Sequence, residues 1–128
     1  MLLADGRILW LGGKGDDGAA LASATVYDPA SATARELPAF LAGARSGHAA
    51  IRIRGDLVVV GGAGPDGALA TTAEVFDAAT LERLATPAAP AGLRPTLTDL
   101  DSGQALLTGG EDAQGAPLAT LALYTARP

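Results

Sequence analysis

The sequence predicts an all-β fold built from a repeated unit of antiparallel strands. The pair Gly12-Gly13 recurs as Gly61-Gly62 and as Gly109-Gly110, at offsets of 49 and 48 residues. Each pair ends a short apolar run, and no stretch shows the 3.6-residue periodicity of an amphipathic helix. The 17 glycines and eight prolines supply the tight turns that many short strands require. These observations favour a β-repeat protein.

Two further sets of residues keep the same register along the chain. They are the glycines Gly18, Gly67 and Gly115, and the aromatic residues Tyr27, Phe76 and Tyr124. We therefore divide the chain into three units, at approximately 1–44, 45–93 and 94–128.

The strands that end in Gly-Gly are Ile8–Leu11, Leu57–Val60 and Ala105–Thr108. They are continuous apolar runs, which predicts that both of their faces are covered. The dipeptides before them are typical of hairpin turns in which glycine takes a positive φ, namely Asp5-Gly6, Arg54-Gly55 and Ser102-Gly103.

The remaining strands follow in a fixed order within each unit. A polar, glycine-rich loop leads to a strand at Thr25–Tyr27, Glu74–Phe76 or Ala122–Tyr124. A further strand ends near Leu37 and near Leu84. The first strand of the next unit then covers Ala49–Ile53 and Thr96–Leu100.

These markers resemble the kelch repeat. The resemblance rests on Gly12-Gly13, Tyr27-Asp28-Pro29, Leu37-Pro38, and Arg45 with His48 in an Arg-x-x-His pattern. Kelch repeats form four-stranded blades of β-propellers, in a family that includes galactose oxidase-like domains and protein-interaction modules. The resemblance implies kelch-type β-propeller blades, about two and a half of them, each four-stranded and antiparallel, in an incomplete ring.

One departure from the kelch pattern concerns the packing between blades. The family usually carries a tryptophan entering the fourth strand, where this chain has Ala34 and Arg83. The only tryptophan is Trp10, on the second strand. Because a buried aromatic side chain is worth about 3–5 kcal/mol, we expect weaker packing between blades than in a typical kelch domain.

Composition narrows the classes of partner and cofactor. The net charge is −5, and no cluster of Lys and Arg is present, which argues against binding of nucleic acid or an anionic membrane surface. The apolar runs are too short to span a bilayer. With no cysteine and a single histidine, the ligand set for a transition metal is weak, and we expect no cofactor.

The sequences of the loops after Gly-Gly match two binding motifs, one for dinucleotides and one for calcium. Gly13–Gly18 fits a dinucleotide fingerprint, but that motif must open a helix and here a strand follows. Gly12–Asp17 and Gly61–Asp66 fit a calcium-binding nonapeptide. That motif must return every nine residues, and the third copy at Glu111–Ala113 breaks it. We expect hairpins with solvated carboxylates, with calcium binding as the weaker alternative.

The candidate interaction surface comprises Arg45, His48, Arg94, Asp16, Asp17 and Asp66. Arg45 and Arg94 hold equivalent positions in successive units, where they either line a binding face or bond to loop carbonyls. His48 is expected to be structural, because Arg-x-x-His is a structural position in the family.

The predicted function is that of a non-catalytic propeller segment that binds a protein or glycan ligand. No serine, histidine and acid set stands out for nucleophilic catalysis. Galactose oxidase-like copper chemistry requires cysteine and more than one histidine, which the chain lacks. The alternative is a non-catalytic part of a larger galactose oxidase-like or glycan-active enzyme. A fragment used in the study of propeller assembly is a third interpretation.

Assembly follows from the number of blades. Propellers close with about four to eight blades, so two and a half blades must be completed by other parts of a parent chain or by another subunit. A second copy would bring the total near six, and a two-fold ring is one expected form.

Overall fold

The computed structural model describes residues 1–128 and contains ten β-strands and no helix. The strands are β1 (Ile8–Leu11), β2 (Ala24–Asp28), β3 (Thr33–Leu37), β4 (Ser46–Ile53), β5 (Asp56–Ala63), β6 (Glu74–Asp77), β7 (Arg83–Ala85), β8 (Thr96–Asp99), β9 (Gln104–Thr108) and β10 (Leu121–Thr125). They form a first sheet of β1–β2–β3, a middle sheet of β4–β5–β6–β7 and a third sheet of β8–β9–β10. The predicted all-β fold of incomplete antiparallel blades is confirmed. No helix could cross a membrane.

The three sheets repeat one hydrogen-bonded register. All neighbouring strands are antiparallel. The same pairing recurs as Leu9 with Val26, Val58 with Val75, and Leu106 with Leu123. Every strand predicted from the sequence is present, and equivalent positions in the three sheets can therefore be compared residue by residue.

The Gly-Gly pairs recur because every one of these glycines has a positive φ, and in the middle sheet neighbouring backbone also excludes a side chain. In the middle sheet, Gly61 and Gly62 have φ angles of 72° and 87°. A Cβ atom on Gly61 would lie 2.6 Å from the carbonyl oxygen of Gly92, and one on Gly62 would lie 2.8 Å from that of Ser46. These glycines let the linker between the middle and third sheets approach the end of β5.

The turns before β1, β5 and β9 differ in which residue takes the positive φ. Gly6 and Gly103 adopt φ angles of 87° and 82°, as predicted. In the middle unit it is Arg54, at 51°, and not Gly55, that takes the left-handed conformation. The prediction of a glycine at this angle is therefore wrong for that turn.

Both faces of the middle sheet are covered. Every residue of β5 is buried. Leu57 and Val59 join the apolar cluster shared with the first sheet, which includes Leu9 and Val26. Val60 joins a cluster shared with the third sheet. We call the contact between the first and middle sheets the first seam, and that between the middle and third sheets the second seam.

The first and third sheets are each covered on one face only. Trp10 on the first sheet is 55% exposed, while Leu121 and Leu123 on the third sheet are 72% and 55% exposed. The prediction that the strands ending in Gly-Gly are covered on both faces therefore holds for β5 alone. The outer sheets have a neighbouring sheet on one side, whereas the middle sheet has one on each.

A polar cluster ties the end of the chain to the middle sheet across the second seam. The Asp56 carboxylate is 1% exposed and accepts hydrogen bonds from the Tyr124 hydroxyl at 2.8 Å, the Arg127 backbone N–H at 3.0 Å and Arg127 Nε at 2.6 Å. Burial raises the pKa of Asp56, but these bonds outweigh it and hold the pKa below its usual value. Burial, together with the bond to Asp56, raises the pKa of Tyr124 to about 12.

Candidate interaction surface

The loops that follow the three Gly-Gly pairs are hairpins with the same construction. Each is closed by an isolated bridge, at Lys14–Ala20, Ala63–Leu69 and Glu111–Pro117. In the first hairpin Asp17 Oδ1 accepts the backbone N–H of Ala19, and in the second Asp66 Oδ1 accepts that of Ala68, both at 3.0 Å. A carboxylate that bonds the backbone two residues later stabilises a tight turn. Asp17 and Asp66 therefore shape the hairpins.

A groove of about 450 Å³ lies between the first and second hairpins. Its lining includes Lys14 and Gly18 from the first hairpin, Gly64 and Pro65 from the second, the start of β4 at 46–47 and the linker at 93–94. We call it the loop groove. Glycines make up much of its lining, so the backbone is accessible to a ligand, and Lys14 and Arg94 contribute two positive charges.

Arg45 and Arg94 do not hold equivalent positions in the structure, contrary to the prediction. The Gly13 N–H donates to the Arg45 carbonyl oxygen and the Gly62 N–H to that of Gly92, so Arg45 corresponds to Gly92 and Arg94 to Gly47. Arg45 is 4% exposed. Its guanidinium forms an ion pair with Glu74, with an Nη2–Oε1 distance of 2.9 Å, and donates to the carbonyl oxygen of Thr72 at 3.2 Å. The Arg45 guanidinium thus lies within the middle sheet and its linker, as in the carbonyl-bonding alternative, and the residue also borders a second groove beside the second hairpin.

Arg94 instead lines the loop groove. Its side chain is 65% exposed and pairs with Glu111 on the third hairpin. The difference has a simple cause in the sequence: the second linker has Gly92 at the position of Arg45, and the third unit has Ala122 at the position of Glu74.

His48 lies beside the Gly-Gly pairs at the start of β4. A Cβ atom on Gly12 would meet His48 Cε1 at 2.7 Å, and one on Gly62 would meet the His48 backbone. Burial lowers the pKa of His48, and the nearby Arg45 charge lowers it further. The Nδ1 atom is buried without a hydrogen-bond partner. His48 is therefore a neutral, half-buried packing residue near neutral pH.

The predicted acidic residues stand at the tips of the hairpins. Asp16, Asp17 and Asp66 are exposed. Asp66 borders the second groove, of about 470 Å³, which Arg45 also lines. No group of three or more His, Cys, Asp or Glu side chains is placed to hold a metal ion.

The predicted surface residues thus fall into two groups. Arg94 and the hairpin aspartates are accessible, whereas Arg45 and His48 lie mostly within the packed structure. The sequence analysis missed Lys14 in the loop groove. Its position immediately after Gly12-Gly13, at the base of a hairpin, is the signal that could have identified it.

The chain matches no protein-family model and no curated protein. The fold itself therefore defines the class: an all-β repeat protein of three blade-like antiparallel sheets, compatible with part of a β-propeller.

Proposed function

We propose that this chain is a kelch-type propeller segment and acts as a non-catalytic binding or scaffold module, with a protein or glycan ligand bound in the loop groove. The observation that carries the proposal is the composition of the groove: two successive hairpins, the start of β4 and the linker before β8 build it jointly. A site assembled from several repeats is typical of repeat proteins that bind along a shared surface.

The kelch interpretation is supported by how the motif residues behave in the fold. Gly12-Gly13 and both later pairs have positive φ. Arg45 of Arg-x-x-His donates to the carbonyl oxygens of Gly61 and Thr72, and the equivalent strand pairs keep one register. Glycine pairs with positive φ and a shared strand register in successive sheets support a common repeat origin.

The groove chemistry favours recognition by backbone groups and charge. Loops held on a rigid sheet scaffold commonly carry binding residues. Small side chains allow close approach to the backbone, and Lys14 and Arg94 favour ligand groups with negative charge or strong acceptors. A peptide carboxylate or an acidic sugar supplies such groups.

Arrays of glycans and peptides probed with the labelled chain test the proposal. Ligands retained by the wild type are then measured against Lys14→Glu and against Arg35→Glu, which makes the same charge change on β3 outside the groove. We expect Lys14→Glu to weaken binding by about tenfold or more, since a charge-assisted hydrogen bond contributes about 1.5–3 kcal/mol. We expect Arg35→Glu to bind normally. No ligand on either array, or equal binding by Lys14→Glu and wild type, would contradict the proposal.

A further inference from the structure

Both seams in the molecule join the same two kinds of sheet face. In the first seam, Leu9 and Val26 of the first sheet pack with Leu57, Val59 and Phe76 of the middle sheet. In the second seam, the opposite face of the middle sheet supplies Val60 and Ala73, and the third sheet supplies Leu107. We call the face that a sheet turns towards the next sheet its forward face, and the opposite one its back face. Each seam pairs a forward face with a back face.

One forward face and one back face have no partner. The free forward face belongs to the third sheet and comprises Leu106, Thr108, Leu121 and Leu123. The free back face belongs to the first sheet and comprises Ile8, Trp10, Thr25 and Tyr27. None of these eight residues is charged, and the Trp10 and Tyr27 rings lie together, with centroids 6.3 Å apart.

The residues equivalent to the exposed ones are buried wherever a seam exists. The equivalents of Trp10 are Val59 and Leu107, which are 0% and 5% exposed, against 55% for Trp10. The equivalents of Leu123 are Val26 and Val75, which are 4% and 3% exposed, against 55% for Leu123. Each of these positions is therefore buried in the two sheets that have a neighbour on that face. In the remaining sheet, at one end of the stack, the same position is exposed apolar surface.

We propose that a second copy of this chain covers both faces. The forward face of the third sheet of one copy packs against the back face of the first sheet of its partner. A two-fold axis repeats this contact, so both free faces of both copies are buried and no sheet face is left over. Two copies supply six sheets, within the range of about four to eight in closed propellers. The contact is the intramolecular seam repeated between molecules, and it does not depend on any ligand in the loop groove.

The first measurement is solution mass by light scattering over a concentration series. The expected mass is twice the chain mass of 12.6 kDa. A monomer at every concentration would overturn the proposal. A mass that keeps growing with concentration would also overturn it, because the contacts would then form an open stack.

Trp10 reports the same contact independently. As the only tryptophan, it carries the chain's tryptophan emission. We expect this emission to shift to shorter wavelengths as concentration rises, since the dimer removes the ring from water. The shift should follow the mass transition at the same concentrations.

A substitution on the third sheet, at the end of the molecule opposite Trp10, tests whether the two outer sheets meet between copies. Leu121→Asp places a charge on the free forward face, at a side chain that is 72% exposed. We expect it to be a folded monomer by circular dichroism, with Trp10 emission returned to long wavelength. Trp10 and Leu121 lie on different outer sheets, so only a contact between copies links them. The matched control is Leu100→Asp, in the turn after β8 and 42% exposed, which should remain a dimer.

Leu123→Asp provides a second variant of the same face if Leu121→Asp does not fold. A folded Leu121→Asp or Leu123→Asp chain that keeps the doubled mass would overturn the proposed contact. So would a Trp10 emission that is the same in the variant and the wild type.

Discussion

The two seams share one backbone arrangement but differ in how tightly they are filled. The first seam contains a cluster of ten buried apolar residues and a stacked pair, Phe40 and Phe76, with ring centroids 4.3 Å apart. The second seam contains two clusters of three buried residues and an apolar cavity of about 250 Å³ that is partly open to solvent. The repeat therefore determines where the sheets lie, and side-chain volume determines how well each seam is closed.

The third sheet has smaller side chains than the middle sheet at two equivalent positions, of which only Ala122 borders the cavity. Leu57 on the back face of the middle sheet corresponds to Ala105 on the third sheet, and Glu74 corresponds to Ala122. Ala122 and Ala89 line the cavity. Close packing in protein interiors normally leaves few voids, so each lost methylene weakens the second seam.

The polar contacts of the two seams differ in burial as well. At the first seam Glu74 is fully buried between Arg45 and Arg83, at 2.9 Å and 3.0 Å, and Arg83 Nη2 donates to the carbonyl oxygen of Phe40 at 2.6 Å. The Ala42 backbone N–H also donates to Glu74 Oε2, at 2.9 Å. These bonds anchor the linker between the first and middle sheets. At the second seam Gly92 takes the position of Arg45, and the neighbouring Arg94 has only its exposed pair with Glu111.

The largest expected effect comes from neutralising the buried carboxylate. Glu74→Gln keeps the shape of the side chain but leaves the Arg45 charge buried without a counter-ion. Loss of one partner from a buried pair costs about 3–5 kcal/mol, and we expect a loss of this size in chemical denaturation. The matched control is Glu111→Gln, which removes the exposed partner of Arg94 and should cost at most about 1 kcal/mol. Equal losses in the two variants would mean that burial does not distinguish the two pairs.

Truncation of one leucine at each seam compares their packing directly. Leu57 is fully buried in the first seam, whereas Leu107 lines the cavity of the second. We expect Leu57→Ala to cost about 3–5 kcal/mol and Leu107→Ala about 2–3 kcal/mol, because a side chain beside a void has fewer packing contacts to lose. Urea denaturation of both variants measures the difference. A larger cost at Leu107 would show that the second seam is the better packed of the two.

The strands and their order could be predicted because local signals determine them. The Gly-Gly pairs mark positions with a positive φ, and the aromatic positions at Tyr27, Phe76 and Tyr124 keep one spacing from them. Turn residues and strand residues lie next to each other in sequence. Such patterns can be interpreted without knowledge of how the sheets stack.

The contacts between sheets could not be predicted in the same way. Glu74 bonds to Arg45, 29 residues away, and Arg83 takes the position where the kelch family usually has tryptophan. The aromatic partner for this seam is Phe40, from the linker, which the sequence analysis did not identify. These pairings depend on which faces of the sheets pack against each other. The position of Lys14 in the loop groove depends on the same packing.

The Asp56 cluster gives the second seam a dependence on pH. The pKa of Asp56 is lower in the folded chain than its ordinary value of 3.8, so the folded state binds this proton less readily than the unfolded state. Its stabilising contribution is therefore complete above about pH 5 and is lost as pH falls through the folded pKa. We expect Asp56→Asn to be less stable than wild type by about 1–2 kcal/mol near pH 7, because Arg127 is half exposed. The difference in stability between the two proteins should narrow as pH falls below the ordinary pKa of 3.8 and should close below the folded pKa of Asp56.

Asp77 also contacts Arg127 and is a second source of the dependence of stability on pH. Backbone N–H groups of Thr80 and Ala79 lower the pKa of Asp77, and Arg127 lowers it further. Asp77 remains in the Asp56→Asn variant, so some acid sensitivity should persist. Urea denaturation at several pH values measures the gap between the two proteins. A gap that stays constant between pH 7 and pH 3 would exclude Asp56 as the source.

The smallest expected effect is a gain in stability at the second seam. Ala122→Val adds two methyl groups at the wall of the cavity, on a strand position that favours β-branched residues. We expect stabilisation of about 0.5–1.5 kcal/mol, measured by urea denaturation. The same change at Ala105, which is fully buried beside Ile53 and Ala126 and outside the cavity, should instead destabilise by about 1–3 kcal/mol through overpacking. If both substitutions destabilise the chain equally, unfilled volume beside Ala122 is not what makes the second seam the weaker one.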